Sequence, residues 1–258
     1  MKTIVFGDIH GRLFWDKILQ SESPDRVIFL GDYVSTHEYI PARQQLANLD
    51  RILDYKEANA DRVTLLRGNH DTQHLGYHWA RCSGLDSRVR SGMPRERYLA
   101  LTQWILIDEE LQTIFSHAGI SRDWMEKWDV ADIHDINAMP PSEAFGFSLT
   151  DPWDNYGEHP TQPLTWIRPQ TLDTCCIDGW DQVVGHTPVR NITAFAPKAA
   201  PSHRVWLCDA MGELQYLAIE GTDFIPRVYQ RAFTASLEEL NNDFKELYDG
   251  DDSEETDW

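Results

Sequence analysis

The chain has few basic side chains: 23 Lys and Arg stand against 42 Asp and Glu, for a formal charge of −19 over 258 residues. Affinity for duplex nucleic acid comes largely from cations that neutralise phosphates, so this balance argues against broad, non-specific nucleic-acid binding. Long apolar runs are missing as well. The opening MKTIVFGDIHG is apolar for only a few residues before Gly7 and Asp8, too short for a leader or a membrane span, which sets the expectation of a cytoplasmic protein. Cysteine is scarce: Cys82, Cys175, Cys176 and Cys208 lack the paired spacing of a zinc site, and neighbouring Cys175 and Cys176 are poorly placed to bridge each other.

What is present is an ordinary globular composition, with 41% hydrophobic and 25% charged residues and no internal repeat, long enough for one large α/β domain. Acidic charge is concentrated at the end, where residues 237–258 hold ten acids against Lys245 alone. The expected organisation is a catalytic domain over residues 1–235, then a C-terminal helix outlined by Leu237, Leu240, Phe244 and Leu247 and an acidic, disordered tail over the rest of 236–258. The tail reads mainly as a solubility element. The body stays compatible with a phosphorylated substrate, because bound cations reverse local charge.

Short β-branched runs at Thr3–Phe6, Arg26–Leu30 and Arg62–Leu66 each flow into a glycine-containing loop. Between the last two, Leu46, Leu49, Ile52, Leu53 and Tyr55 recur at helical spacing after Pro41, which predicts a βαβ crossover. Arg95–Ile105 reads as a helix, Ile105–Ile107 and Gln112–Phe115 as a hairpin, and residues 129–170 as long functional loops. Later strands are expected at Gln182–Val184, Arg204–Cys208 and Leu214–Ile219.

Five polar segments follow such runs: Gly7-Asp8-Ile9-His10-Gly11, Gly31-Asp32-Tyr33, Gly68-Asn69-His70-Asp71, Ser116-His117-Ala118-Gly119 and Gly185-His186-Thr187. Loops at the carboxyl ends of strands converge in an open α/β sheet, so the five are expected to make one site. Carboxylates, an amide and imidazoles without thiolates suit divalent cations such as Mn²⁺, with Fe or Zn tolerated by the imidazoles. Glycine beside each ligand lets the backbone turn and approach closely.

This series resembles the calcineurin-like metallophosphoesterase superfamily, in the form closest to its phosphoprotein-phosphatase branch, and the resemblance spans residues 7–188. It implies a two-sheet α/β sandwich flanked by helices and a dinuclear metal site. Asp8 and His10 would hold one metal, Asp32 would bridge, and Asn69, His117 and His186 would hold the second. A bridging hydroxide would be the nucleophile, with His70 as general acid and Asp71 orienting it. The arginine that usually follows the second motif is missing from Gly31-Asp32-Tyr33-Val34-Ser35-Thr36-His37. Arg168 in Leu164-Thr165-Trp166-Ile167-Arg168 is the first substitute as phosphate clamp, followed by Arg12 and Arg122, with Asn69 also placed to touch substrate.

His74 and His78 stand four apart but lack a third ligand, and read as structural. The tryptophans Trp124, Trp128, Trp153, Trp166 and Trp180 read first as core, with a base-stacking platform as the alternative. The expected activity is hydrolysis of phosphate monoesters, on a phosphoprotein or a small molecule. A nucleotide hydrolase acting on dinucleoside polyphosphates or phosphodiesters is the alternative, and a catalytically silent scaffold the third reading. The oligomeric state is expected to be monomer or dimer.

Overall fold

The computed structural model describes residues 1–35, 40–148 and 157–230, and the compact unit spans Met1–Val228. The chain order begins β1 (Lys2–Phe6), α1 (Trp15–Glu22), β2 (Arg26–Phe29), α2 (Ala42–Ala58), β3 (Val63–Leu66) and α3 (Asn69–His74). It continues with β4 (Ala80–Arg81), α4 (Ser87–Gly92), α5 (Arg95–Leu101), β5 (Thr102–Gln103), β6 (Ile105–Asp108), β7 (Thr113–Ser116) and α6 (Arg122–Lys127). After two 3₁₀ turns come β8 (Phe147–Ser148), α7 (Pro169–Cys175), β9 (Asp181–Val184), β10 (Thr193–Phe195), β11 (Val205–Leu207), β12 (Gln215–Glu220) and β13 (Asp223–Val228).

Two mixed sheets result, a six-stranded one in the order β13-β12-β1-β2-β3-β5 and a five-stranded one in the order β10-β11-β9-β7-β6, with a small β4-β8 ribbon beside them. Their inner faces form one core, in which Val5, Ile28, Leu30 and Leu66 pack with Phe115, Val183, Cys208 and Leu217. Strand β1 is buried from Thr3 to Phe6, which is why its sequence is continuously apolar rather than alternating. The outer side of the second sheet is sealed by Trp104, Trp124, Ile136 and Phe145, with Trp104 stacked on Phe145 at 3.9 Å.

The expected sandwich is therefore present, as are the βαβ unit and the hairpin, with β2 and β3 parallel and β6 and β7 antiparallel. Parallel pairing runs through β1, β2 and β3 in one sheet and through β7, β9 and β11 in the other. One expectation fails: the helix read over Arg95–Ile105 stops at Leu101, and Thr102–Gln103 pairs beside β3 instead. Thr102 and the apolar residues after it are taken by sheet pairing, which overrides their weak helical periodicity. Among the described residues, the loops foreseen over 129–170 hold two 3₁₀ turns and β8. Thr36, His37, Trp153, the helix of Leu237–Leu247 and the acidic tail lie outside the described residues.

Candidate active site

Every candidate ligand sits just past the carboxyl end of a parallel strand. Asp8 and His10 follow β1, Asp32 follows β2, Asn69 opens α3 after β3, His117 follows β7 and His186 follows β9. Backbone hydrogen bonds tie these loops together: His10 donates to the Asp32 carbonyl at 2.7 Å and Gly185 to that of His117 at 2.8 Å. The carboxylate of Asp8 accepts the backbone N–H of His186 at 2.9 Å, joining the two sheets. Three of the ligands hold left-handed backbone, His10 at φ 47°, Asp32 at φ 52° and His186 at φ 61°. Non-glycine residues rarely sit there, and such strain concentrates at functional sites. The close weave also explains a glycine: a Cβ on Gly68 would collide with the backbone and carboxylate of Asp32.

Two groups of donor atoms emerge, Asp8 with His10 and Asp32, and Asp32 with His117 and His186, each with its ligand atoms within 4.8 Å of one another. Asp32 belongs to both. Its Oδ2 lies 3.4 Å from His117 Nε2 and 4.0 Å from His10 Nε2, which is 3.8 Å from Asp8 Oδ2. Asn69 Oδ1 lies 2.9 Å from His117 Nε2 and 2.9 Å from His186 Nδ1.

Ring hydrogen bonds fix which nitrogen of each imidazole faces inward. Nδ1 of His10 pairs with the Val34 carbonyl at 3.3 Å, Nδ1 of His117 with that of Leu30 at 2.8 Å, and Nε2 of His186 with that of Trp166 at 3.1 Å. A carbonyl only accepts, so each of these nitrogens carries the proton, and the opposite nitrogen offers a lone pair to the cluster. Lone pairs of three imidazoles, an amide oxygen and carboxylates thus converge on one space. That arrangement fits cations.

The electrostatics agree. Burial, reinforced by the charge of Asp209, pushes Asp8 well above the usual carboxylate range. Asp32 is raised well above it too, first by burial and then, against the lowering effect of the His70 N–H, by Asp209. Burial and the neighbouring Arg12 lower His10 to about 4, while burial and Arg168 hold His186 well below its ordinary value. Neutral imidazoles are the ligating form, and bound cations would reverse the cost of clustering the carboxylates.

His70, at the start of α3, packs its ring edge-on to His10 with 5.3 Å between centroids. Its expected partner is turned elsewhere. Asp71 Oδ1 accepts the N–H groups of Tyr33 at 2.8 Å and Val34 at 3.3 Å, and Oδ2 accepts those of Gly68 at 3.3 Å and the Tyr98 hydroxyl at 3.3 Å. Successive helical residues do not share a face, and Asp71 occupies the capping-box position of α3, so its carboxylate folds back on the helix start. The orienting role assigned to Asp71 is corrected accordingly. Gln73 Nε2 instead lies 3.4 Å from His70 Nδ1 and donates to the Ser83 carbonyl at 3.0 Å, while its oxygen accepts the Cys82 N–H at 3.3 Å.

Of the three arginines, two reach the site. Arg168, half-buried at the start of α7 and 5.7 Å over the Trp166 ring, donates to the His186 carbonyl at 3.3 Å and the Thr187 hydroxyl at 3.2 Å, and feels the charges of Asp8, Asp209 and Asp32. Arg12 donates to the Asp8 carbonyl at 3.3 Å and faces Asp209. Arg122 is exposed at the start of α6, and among the described residues no hydrogen bond or ion pair ties it to the donor groups, so it is removed from the clamp. Asp209, raised to about 6 chiefly by burial, was missed by sequence reasoning, although it follows β11 as the ligands follow their strands.

His74 and His78 do not form a pair: His74 is buried with Nε2 2.6 Å from the Ser35 hydroxyl, and His78 is exposed beside Glu143. Trp166 is 4% exposed and stacked on Phe147, and Trp124 is fully buried, so both are core rather than a base platform. All four cysteines are free thiols.

The two-sheet α/β sandwich thus gathers, on its strand-end loops, two candidate metal-binding donor groups around one shared aspartate. The model of the calcineurin-like phosphoesterases matches residues 1–208, and the chain belongs to that family. Among curated proteins it is similar to the serine/threonine-protein phosphatase 4 catalytic subunits of Eremothecium gossypii and Saccharomyces cerevisiae. Each is 39% identical over 75 residues, which is 28% of this chain and 23% of the relative. Solved structures of a cold-active protein tyrosine phosphatase share the fold at a TM-score of 0.60, 18% identity, and 88% and 76% coverage of the two chains. The cold-active protein tyrosine phosphatase of a psychrophilic Shewanella species aligns at 0.55, with 18% identity and 88% and 78% coverage. A protein serine/threonine phosphatase from Saccharomyces cerevisiae aligns at 0.53, with 17% identity and 92% and 82% coverage.

Proposed function

We propose that the chain hydrolyses phosphate monoesters, with phosphorylated side chains of proteins as its substrate class and small phosphate esters as accessible models. The carrying observation is that Asp32 belongs to both donor groups while the His70 ring stands against His10, one of those donors. Asp8, His10 and Asp32 would hold one divalent cation, and Asp32, Asn69, His117 and His186 the other. Mn²⁺ suits this oxygen and nitrogen set, with Fe or Zn as alternatives. Such cations supply Lewis acidity toward phosphoryl oxygens and lower the pKa of water toward neutrality.

The protein's own groups do the rest. Arg168, braced by the His186 carbonyl, Thr187 and the Trp166 ring, orients the phosphate, and Arg12 supports it from the opposite loop. Asp209 balances both guanidinium charges. His70, as imidazolium, delivers a proton to the departing oxygen and is left as the neutral ring. The named activities of the phosphatase 4 relatives support the protein-substrate reading. Stripping metal with chelator and restoring Mn²⁺ tests it: p-nitrophenyl phosphate should be cleaved only after restoration, and faster than its bis ester. A preference for the bis ester would overturn the monoesterase assignment.

A further inference from the structure

Residues 76–97 invert the charge of the chain, carrying five arginines against two acids in a protein of net charge −19. Two of these arginines are accounted for, since Arg88 pairs with Asp86 and Arg97 with Asp54 and Glu57. Arg90 on α4 and Arg95 at the start of α5 are exposed, and among the described residues neither forms an ion pair with a carboxylate. Both guanidinium groups nevertheless reach one point, 3.1 and 3.6 Å from where a Cβ on Gly76 would stand. Two like charges side by side repel, and an oxyanion between them relieves that repulsion through fork-shaped donors suited to carboxylate or phosphate.

The place of this pair relates it to the active site. Asn69 opens α3 and Gly76 lies just beyond the helix end, a separation of about 10 Å at 1.5 Å per residue. The chain then runs back toward the site: Arg95 lies 5.0 Å over the Tyr77 ring, Tyr77 stacks on Trp79 at 4.5 Å, and Cys82 Sγ reaches Asn69 Nδ2 at 3.4 Å. Tyr77 and Trp79 are only half-buried, so this strip offers aromatic surface between the arginines and His70. An extended peptide covers about 10 Å in about three residues.

We propose that Arg90 and Arg95 form an accessory oxyanion site that grips a carboxylate or second phosphate of a phosphopeptide, three to four residues from the phosphate being hydrolysed, with the backbone crossing the Tyr77–Trp79 stack. This rests on the monoesterase reading and specifies its substrate: an acidic or multiply phosphorylated polypeptide. It also accounts for a basic patch on an acidic enzyme that must attract polyanions.

The test uses the full chain loaded with Mn²⁺ and phosphoserine peptides matched except at three and four residues from the phosphoserine. One set carries Asp there, one a second phosphoserine and one Ala. Arg90→Gln/Arg95→Gln should raise KM for the Asp or bisphosphorylated peptides by about 3–30-fold, the range for two exposed charge pairs. It should leave kcat, the Ala peptide and p-nitrophenyl phosphate unchanged, and Arg90→Lys/Arg95→Lys should restore part of the preference. A response to only one anionic set identifies which oxyanion the site takes. If the wild type does not prefer either anionic set, or the Gln variant keeps the preference, the site is refuted. Should the wild type cleave no monoester at all, the monoesterase reading falls alone, and anisotropy of the labelled peptides decides the site: binding lost in the Gln variant supports it, equal binding overturns it.

Discussion

The carboxylate of Asp32 accepts the backbone N–H of His70 at 2.8 Å. The shared ligand and the first turn of α3 are therefore one unit, because Asp32 uses Oδ1 for the helix and Oδ2 for the face shared with His117 and His10. Removing it must affect both donor groups at once. Loss of supporting partners around a ligand alone costs about 10–100-fold in metal affinity, so loss of the shared ligand should exceed that at both positions. Asp32→Ala is expected to emerge from gel filtration with neither metal by elemental analysis; two retained metals would contradict the sharing.

His70 is half-buried and sits outside both donor groups. His70→Asn should keep two metals while slowing an alkyl phosphate by about 10²–10⁴-fold, the usual worth of a positioned acid. A good leaving group needs less help, so p-nitrophenyl phosphate should slow less. Equal slowing of both esters would assign His70 to binding rather than to proton delivery.

The site was legible in the sequence because each ligand follows an apolar run and a glycine, and parallel strands deliver those ends to one place. The fold was legible for the same reason: runs such as Thr3–Phe6 and Val27–Phe29 are buried on both faces and read as strands. What escaped depends on directions rather than spacing. Asp71 beside His70 suggested a pair, yet neighbours on a helix point apart, and the carboxylate serves Tyr33 and Val34. Asp209 escaped because Cys208-Asp209-Ala210 carries no adjacent glycine or histidine to mark its strand end. Arg168 stood first by the resemblance of its segment, but spacing could not separate Arg12 from Arg122, since a long flexible side chain is placed by tertiary contacts.

Those contacts now separate the arginines. Arg168 is braced by two hydrogen bonds and an indole face, and an anchored guanidinium that orients phosphate contributes through geometry as well as charge. Arg168→Ala should lower kcat/KM for p-nitrophenyl phosphate by about 10–100-fold, a loss of roughly one fully engaged charge-assisted contact. Arg168→Lys should recover only part. Arg122→Ala, on the exposed face of α6, should match wild type within error, and a comparable loss there would return Arg122 to the clamp.

Buried His74 supplies a pH dependence of stability that is separate from the ligand groups. Burial lowers it from 6.5 to about 4, with Asp86 working against the shift and Arg90 adding to it. The folded state therefore stays unprotonated at His74 while the unfolded chain takes up a proton between pH 6.5 and 4. The unfolded state binds more protons in that window, so stability falls as pH is lowered through it and is fully present above pH 6.5. One proton contributes at most about 1.4 kcal/mol per pH unit. Urea midpoints for wild type and His74→Gln, compared at identical metal content, should show the shallower pH slope in the variant. Identical slopes would mean that the folded protein protonates His74 as readily as the unfolded chain, and that its bond to Ser35 holds the imidazolium as well as the neutral ring.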